Sequence, residues 1–360
     1  MTISARKAVF TGLAMIGATA ILAGCGSAPS SSSTTASSSK SSYLPCMVSD
    51  AGGFNDKSFN QLGLDGLKQA STALGAKYKA VESADQTVYA SNISSLVNQK
   101  CNLIITVGFL LADATKAAAA SNPGINFATI DDASNSAKNV QAITFNTSEA
   151  AFMGGYAAAS YSKTGTVGTF GGLQIPTVTI FMDGFADGVA YYNKQKNKDV
   201  KVVGWDEKTQ KGVFTGGFDA GTAAKQSAQT LIDQNADVIM PVGGPIYQSA
   251  AEAIKDANKG IVLVGVDSDT YETDPANSSL FLTSVEKGIA PATKAVVTQA
   301  ANGKFSNKPY VGTLKNNGVG LAPFHDYAGK IAKSLPGELT KIKAGIIDGS
   351  ITVDSPAASK

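Results

Sequence analysis

Apolar positions fall along this chain in two patterns: short unbroken blocks, and longer stretches with apolar residues three or four apart. An unbroken block suits a strand covered on both faces, and the wider spacing marks one face of a helix. Residues 43–48 read as a buried strand, and 59–74 as a helix facing inward through Phe59, Leu62, Leu67, Ala70 and Leu74. Strand 77–81, helix 88–99, strand 103–107, helix 112–120 (closed by Asn122-Pro123) and strand 127–130 follow. The series then restarts with strand 166–170, helix 178–193, strand 200–203, helix 220–234, strand 237–241, helix 247–258 and strand 261–266. Alternation of this kind implies right-handed βαβ crossovers and parallel sheets. Two series of similar size predict an α/β protein with two Rossmann-like lobes, and segments 281–302 and 318–353 are expected to cross back between them. The expected division is 43–145 plus 284–316 for the N-terminal lobe and 146–283 plus 317–355 for the C-terminal lobe.

The first residues follow another logic. Arg6 and Lys7 precede an apolar run over 8–21, which falls short of the ~20 residues that span a bilayer. That layout is an export signal rather than a membrane helix. Leu22-Ala23-Gly24-Cys25 resembles the bacterial lipobox, in which the Cys thiol is acylated and the chain is cut just before it. Residues 1–24 are therefore expected to be a lipoprotein signal peptide and Cys25 the lipidation site. The Ser-rich stretch that completes 25–42 buries too little apolar surface to offset its ordering entropy and is expected to be a flexible tether. The expected location is the outer face of the cytoplasmic membrane in a bacterial envelope, held by the lipid anchor alone.

Composition narrows the partners. With Arg6 and Lys7 set aside, basic and acidic residues are equal at 28 each. A neutral chain is a poor match for nucleic acid or an anionic membrane surface. The single His, His325, excludes a His-based metal cluster. No P-loop, no G-x-S-x-G and no G-x-G-x-x-G occurs, so no enzyme signature and no cofactor is expected. An exported compartment permits a disulfide, and Cys46 and Cys101 fall at the first and third predicted strands, neighbours in a 2-1-3 order. The alternative is two buried thiols.

Polar and aromatic residues gather just beyond the C-terminal ends of the predicted strands, the edge at which open α/β sheets bind ligands. Asp50-Ala51-Gly52-Gly53-Phe54-Asn55-Asp56-Lys57-Ser58-Phe59-Asn60-Gln61 follows the first strand, Gly108-Phe109 the third and Asp131-Asp132 the fourth. Met240-Pro241-Val242-Gly243-Gly244 and Gly265-Val266-Asp267-Ser268-Asp269 take equivalent places in the second series. Any one of these residues is as well explained by capping or turn formation, Asp56 or Ser58 capping the helix for example. Their concentration on one edge favours a binding site.

The Asp50–Gln61 stretch resembles the basic membrane protein family, whose best-known members are purine nucleoside receptor lipoproteins serving ABC transporters. The resemblance continues through Glu149-Ala150-Ala151-Phe152-Met153-Gly154-Gly155-Tyr156, Phe181-Met182-Asp183-Gly184-Phe185, Thr215-Gly216-Gly217-Phe218-Asp219 and Ser284-Val285-Glu286-Lys287. It implies a type I periplasmic-binding-protein fold that holds a nucleoside between two hinged lobes and delivers it to an ABC permease. By the resemblance, Asp50 and Asn60 are base-edge or loop-fixing residues, Phe59 stacks on the base, and Asp131, Asp267 and Lys287 bind ribose. Ser58, Phe109, Gly243 and Gly244 complete the expected contacts. One departure is Met240, at a position where relatives carry a second Phe, so a softer side chain is expected to cover the ring. The alternatives are a sugar or polyol ligand held by Asp131 and Asp267, and an extracytoplasmic hydrolase using paired carboxylates such as Asp131 and Asp132.

Overall fold

The computed structural model describes residues 42–358. The signal segment, Cys25 and the tether up to residue 41 lie outside the described residues. The first series forms strands β1 (Pro45–Val48), β2 (Lys79–Val81), β3 (Leu103–Val107), β4 (Asn126–Ile130) and β5 (Val140–Phe145) with helices α1 (Phe59–Leu74), α2 (Tyr89–Asn98) and α3 (Ala112–Ser121). Helix α4 (Thr147–Tyr161) opens the second series, followed by β6 (Thr166–Gly171), α5 (Pro176–Lys196), β7 (Lys201–Val203) and a short antiparallel pair, β8 (Trp205–Asp206) and β9 (Lys211–Gly212). Next come α6 (Thr222–Asp233), β10 (Val238–Val242), α7 (Ile246–Ala257), β11 (Val262–Asp267), α8 (Thr270–Thr273) and β12 (Phe281–Lys287). Helix α9 (Ile289–Ala301), β13 (Tyr310–Gly312), β14 (Val319–Leu321) and α10 (Leu335–Asp348) end the chain's regular structure.

These strands build two six-stranded sheets, ordered β13-β5-β4-β3-β1-β2 and β14-β12-β11-β10-β6-β7. All pairings are parallel except β12 with β14. Each series fills one sheet, as two covered parallel sheets require. The crossing points refine the expected division. All of β12 belongs to the second sheet, so the chain leaves that sheet after Lys287 and not at residue 284. It then forms α9 against α1, pairs β13 with β5, and returns through β14.

Two elements escape the apolar pattern. Twelve residues of α4 are buried, so it shows no polar face and no 3.6-residue contrast. Gly155 lets it press against α5: a Cβ there would stand 2.0 Å from the Phe185 carbonyl oxygen, and one on Gly188 of α5 1.9 Å from that of Phe152. Strand β5 lies beyond a turn from β4 and is buried along its whole length. Cys46 on β1 and Cys101, two residues before β3, are joined by a disulfide with their Cα atoms 6.0 Å apart. Among the described residues no helix is long and apolar enough to cross a membrane.

Candidate functional site

The C-terminal edges of the two sheets converge on one cleft, and an ion-paired lysine sits in it. Lys287, the last residue of β12, is 3 % exposed in its side chain, with Nζ 2.5 Å from Asp131 Oδ2 and 3.2 Å from Asp267 Oδ1. The two acids occupy matching places, Asp131 just after β4 and Asp267 at the end of β11. Both take left-handed backbone, at φ 63° and 69°. Asp adopts that conformation more readily than most residues, and strained backbone of this kind collects at functional sites. Burial opposes the charge on Lys287, but the two carboxylates outweigh it and hold the amine above its usual range. Burial pushes the Asp131 carboxyl up, against the pull of the same lysine.

Aromatic rings flank the triad. Lys287 Nζ lies 4.8 Å from the Phe59 ring centroid and 5.3 Å from that of Phe181 on α5. Phe109 and Phe218 also line the cleft. Phe218 lies over the glycine turns after β6 and β10: a Cβ on Gly172 would meet its ring at 2.4 Å, and one on Gly243 at 2.7 Å.

The far end of the cleft is acidic. Asp56 caps α1, with Oδ1 accepting from the amides of Ser58 and Gln61 and Oδ2 from that of Asn60. Asn60 Nδ2 donates to Asp50 Oδ1 at 2.7 Å and to Asp56 Oδ2 at 3.1 Å. Its own Oδ1 accepts from the Asp50 amide. Gly108, at φ 109°, lets Asp50 close in: a Cβ there would stand 2.9 Å from Asp50 Oδ2. Burial raises the Asp50 carboxyl to about 6, although Asn60 and the Gly52 amide stabilise its charge. The cleft thus offers carboxylate acceptors at one end, a Lys–Asp pair at the other and aromatic faces between them.

A family model described as ABC transporter substrate-binding protein PnrA-like, Bmp, matches residues 44–348. The chain belongs to the Bmp family. It is 30% identical over 97% of its length, and 99% of the relative's, to the ABC transporter nucleoside-binding protein BmpA of Lactococcus lactis. It is also 30% identical to basic membrane protein A of Borreliella burgdorferi, over 84% of this chain and 86% of that one. A solved ABC transporter solute-binding protein from Aeropyrum pernix superposes with a TM-score of 0.78 at 23% identity, covering 87% of this chain and 94% of the other. The fold is that of type I periplasmic binding proteins, and the Bmp family consists of substrate-binding proteins of ABC transporters rather than enzymes.

Against this Bmp frame, the structure brings Asp50, Phe59, Asn60, Phe109, Asp131, Gly243, Gly244, Asp267 and Lys287 to the cleft wall. Two expected contacts are not there. Met240 is fully buried in the core, with its carbonyl accepting from Thr169 Oγ1. It shares a face of β10 with Val242, which reaches the cleft, but lies two residues deeper in the sheet. Ser58 does not line the cleft either. Its Oγ donates to the Val266 carbonyl at 3.1 Å and lies 3.4 Å from Asp267 Oδ2, joining the first loop to the second sheet and to the triad. Asn60 spends its amide on Asp50 and Asp56, which makes it a loop-fixing residue. Phe181 and Phe218 were not among the expected contacts. The available signal for Phe218 was its place as a bulky ring directly after Gly216-Gly217 and before the polar Asp219.

Proposed function

We propose that this substrate-binding protein captures a nucleoside of the purine class between its lobes, is held outside the cytoplasmic membrane through Cys25, and hands its ligand to an ABC permease. The observation that carries the reading is Lys287 between Asp131 and Asp267, beside the faces of Phe59 and Phe181. A nucleoside offers a flat ring with polar edges and a vicinal diol. One carboxylate accepts two hydrogen bonds, so either acid of the triad suits the diol. The aromatic faces suit the base, where stacking contributes ~1–3 kcal/mol. Asp50 and Asp56 suit the N–H donors on a purine edge. The nucleoside-binding relative from Lactococcus lactis supports the same reading.

Contacts across the cleft mouth are consistent with capture by lobe closure. Lys57 Nζ pairs with Asp274 Oδ1 at 2.9 Å, and Ser268 Oγ donates to the Lys57 carbonyl at 3.0 Å. The direct test is to purify the protein from its host, denature it and weigh the small molecules released, then titrate the refolded protein with inosine, guanosine and free ribose. Release of a purine nucleoside and binding of the nucleosides are expected. Release or binding of a sugar without a base would replace this reading with the polyol one.

A further inference from the structure

The three crossings between the lobes are bonded to one another. In the third, residues 313–318 close a turn on themselves. Asn316 Oδ1 accepts from the amides of Thr313 at 2.8 Å and Gly318 at 2.9 Å, and Asn316 Nδ2 donates to the Val311 carbonyl. Both flanks of that turn are tied to the other crossings. The Gly312 carbonyl accepts from the Asn146 amide, just after β5, and the Gly318 carbonyl from the Gly288 amide, just after β12, each at 2.8 Å. Glycine permits the approach, since a Cβ on Gly318 would stand 2.2 Å from Gly312 Cα.

Glu149, in the first turn of α4, spans this junction. Its Oε2 accepts from the Leu314 amide at 2.7 Å and its Oε1 from Asn146 Nδ2 at 3.3 Å. An acid at this place in a helix commonly caps it by taking the backbone amide of the N-cap residue. Here Asn146 is the N-cap and Gly312 holds its amide, so the carboxylate serves the crossings instead. Hydrogen bonds to a charged acceptor are roughly twice as strong as neutral ones. The junction also adjoins the triad. A Cβ on Gly312 would meet the Phe145 ring at 2.4 Å, and Lys287 Nζ lies 5.7 Å from the centroid of the same ring.

We infer that Glu149 is a positioning residue for ligand capture: by bonding the first and third crossings at once, it holds them in the arrangement that brings the two sheet edges together, and without it the lobes rest further apart. The inference rests on capture by lobe closure, and it holds for any small molecule that the cleft takes. Hinges turn at a few residues that absorb the backbone rotation, so a bond between crossings biases how far they turn. A ligand that needs both lobes binds only the fraction of molecules able to close on it. Lowering that fraction weakens every such ligand by the same factor.

Solution scattering and calorimetry on the full protein test it in wild type, Glu149→Ala and Glu149→Gln. Without ligand, Glu149→Ala should show a larger radius of gyration than wild type, and at saturating inosine the two should scatter alike. Affinity for inosine, 2′-deoxyinosine and hypoxanthine should fall in Glu149→Ala by one common factor of about fivefold or more, whereas a change in the cleft wall alters the ratios between them. Unfolded material lowers the calorimetric stoichiometry and not the affinity of the rest, so it does not mimic this result. Glu149→Gln should recover most of the affinity. Gln keeps an acceptor for the Leu314 amide, and its Nε2 meets Asn146 Oδ1, a buried atom without a partner, once the Asn146 amide turns over. Should Glu149→Ala fail to fold, Asn146→Ala, which removes the side-chain contact with the first crossing alone, decides by the same readings. Equal radii in the unliganded proteins, or a loss confined to inosine, would leave Glu149 an ordinary helix-start residue and overturn the inference. If inosine binds and changes the radius of neither protein, lobe closure fails and the inference with it. Binding of none of the three would overturn the nucleoside reading alone, and the radii of the unliganded proteins would then decide this one.

Discussion

At the scale of single residues, the site depends on where charge is buried. Asp50 carries the clearest pH consequence. Its carboxyl is raised to about 6 in the folded protein, so the charged form is fully present only above that value. A raised acid makes the folded state bind more protons than the unfolded one, so its contribution to stability falls between the ordinary carboxylate range and about pH 6 and is flat above. Ligand binding runs the opposite way. A base that donates N–H to Asp50 favours the carboxylate, so nucleoside affinity should rise from pH 5 to pH 7 and then level off. Calorimetry across that range should show the slope in wild type and a flatter line in Asp50→Asn. The correction of Met240 to Phe218 is testable at the same scale. Phe218→Ala should weaken nucleoside binding by ~1–3 kcal/mol, the usual worth of one base–aromatic contact. Met240→Leu, a core swap of similar volume, should cost under about 1.5 kcal/mol of stability and leave affinity alone. Equal losses of affinity in the two variants would contradict the assignment.

At the scale of elements, the sequence was readable wherever a pattern contrasted with its surroundings. Helix α1 shows an inner and an outer face, and β3 an unbroken apolar block; both fall at the expected residues, 59–74 and 103–107. Helix α4 shows no contrast because it is covered on every side, and what defines it is the small-residue seam with α5. The acids at strand ends were legible because their place follows from sheet topology alone. The depth of Met240 was not, since position along a strand fixes which face a side chain takes but not how far the cleft reaches. The seam yields a stability prediction: Gly188→Ala drives a methyl into the Phe152 carbonyl and should lower the denaturation free energy by ~1–3 kcal/mol or more, an ordinary result of overpacking. Wild-type stability in that variant would mean that α4 and α5 are more loosely packed than described. The Cys46–Cys101 bond makes a separate prediction. Non-reduced peptides from exported protein should carry the link, and replacing both residues with Ala should cost ~2–5 kcal/mol.

At the scale of the molecule, three chain crossings join the lobes, after β5, after β12 and before β14, and the triad sits close to two of them. Lys287 belongs to the strand that ends at the second crossing, and Asp131 reaches it from the other lobe, so the ion pair ties the two lobes together close to the crossings. Unpaired, the buried acids would be costly, so the lysine is needed for both to stay buried at this junction. Lys57→Met removes the Asp274 contact at the mouth without touching the cleft wall. It should speed nucleoside release several-fold and reduce the contraction seen by solution scattering on ligand addition, while an unchanged release rate would remove this contact from the closing mechanism. The claim on which the functional reading turns is the sugar-binding role of the triad, and calorimetry of Asp267→Ala with inosine, 2′-deoxyinosine and hypoxanthine tests it most directly. The account predicts at least a tenfold loss for inosine, about 1.4 kcal/mol, with the preference over the deoxy compound gone and hypoxanthine nearly unaffected. Wild-type affinity for inosine in a folded Asp267→Ala protein would contradict it.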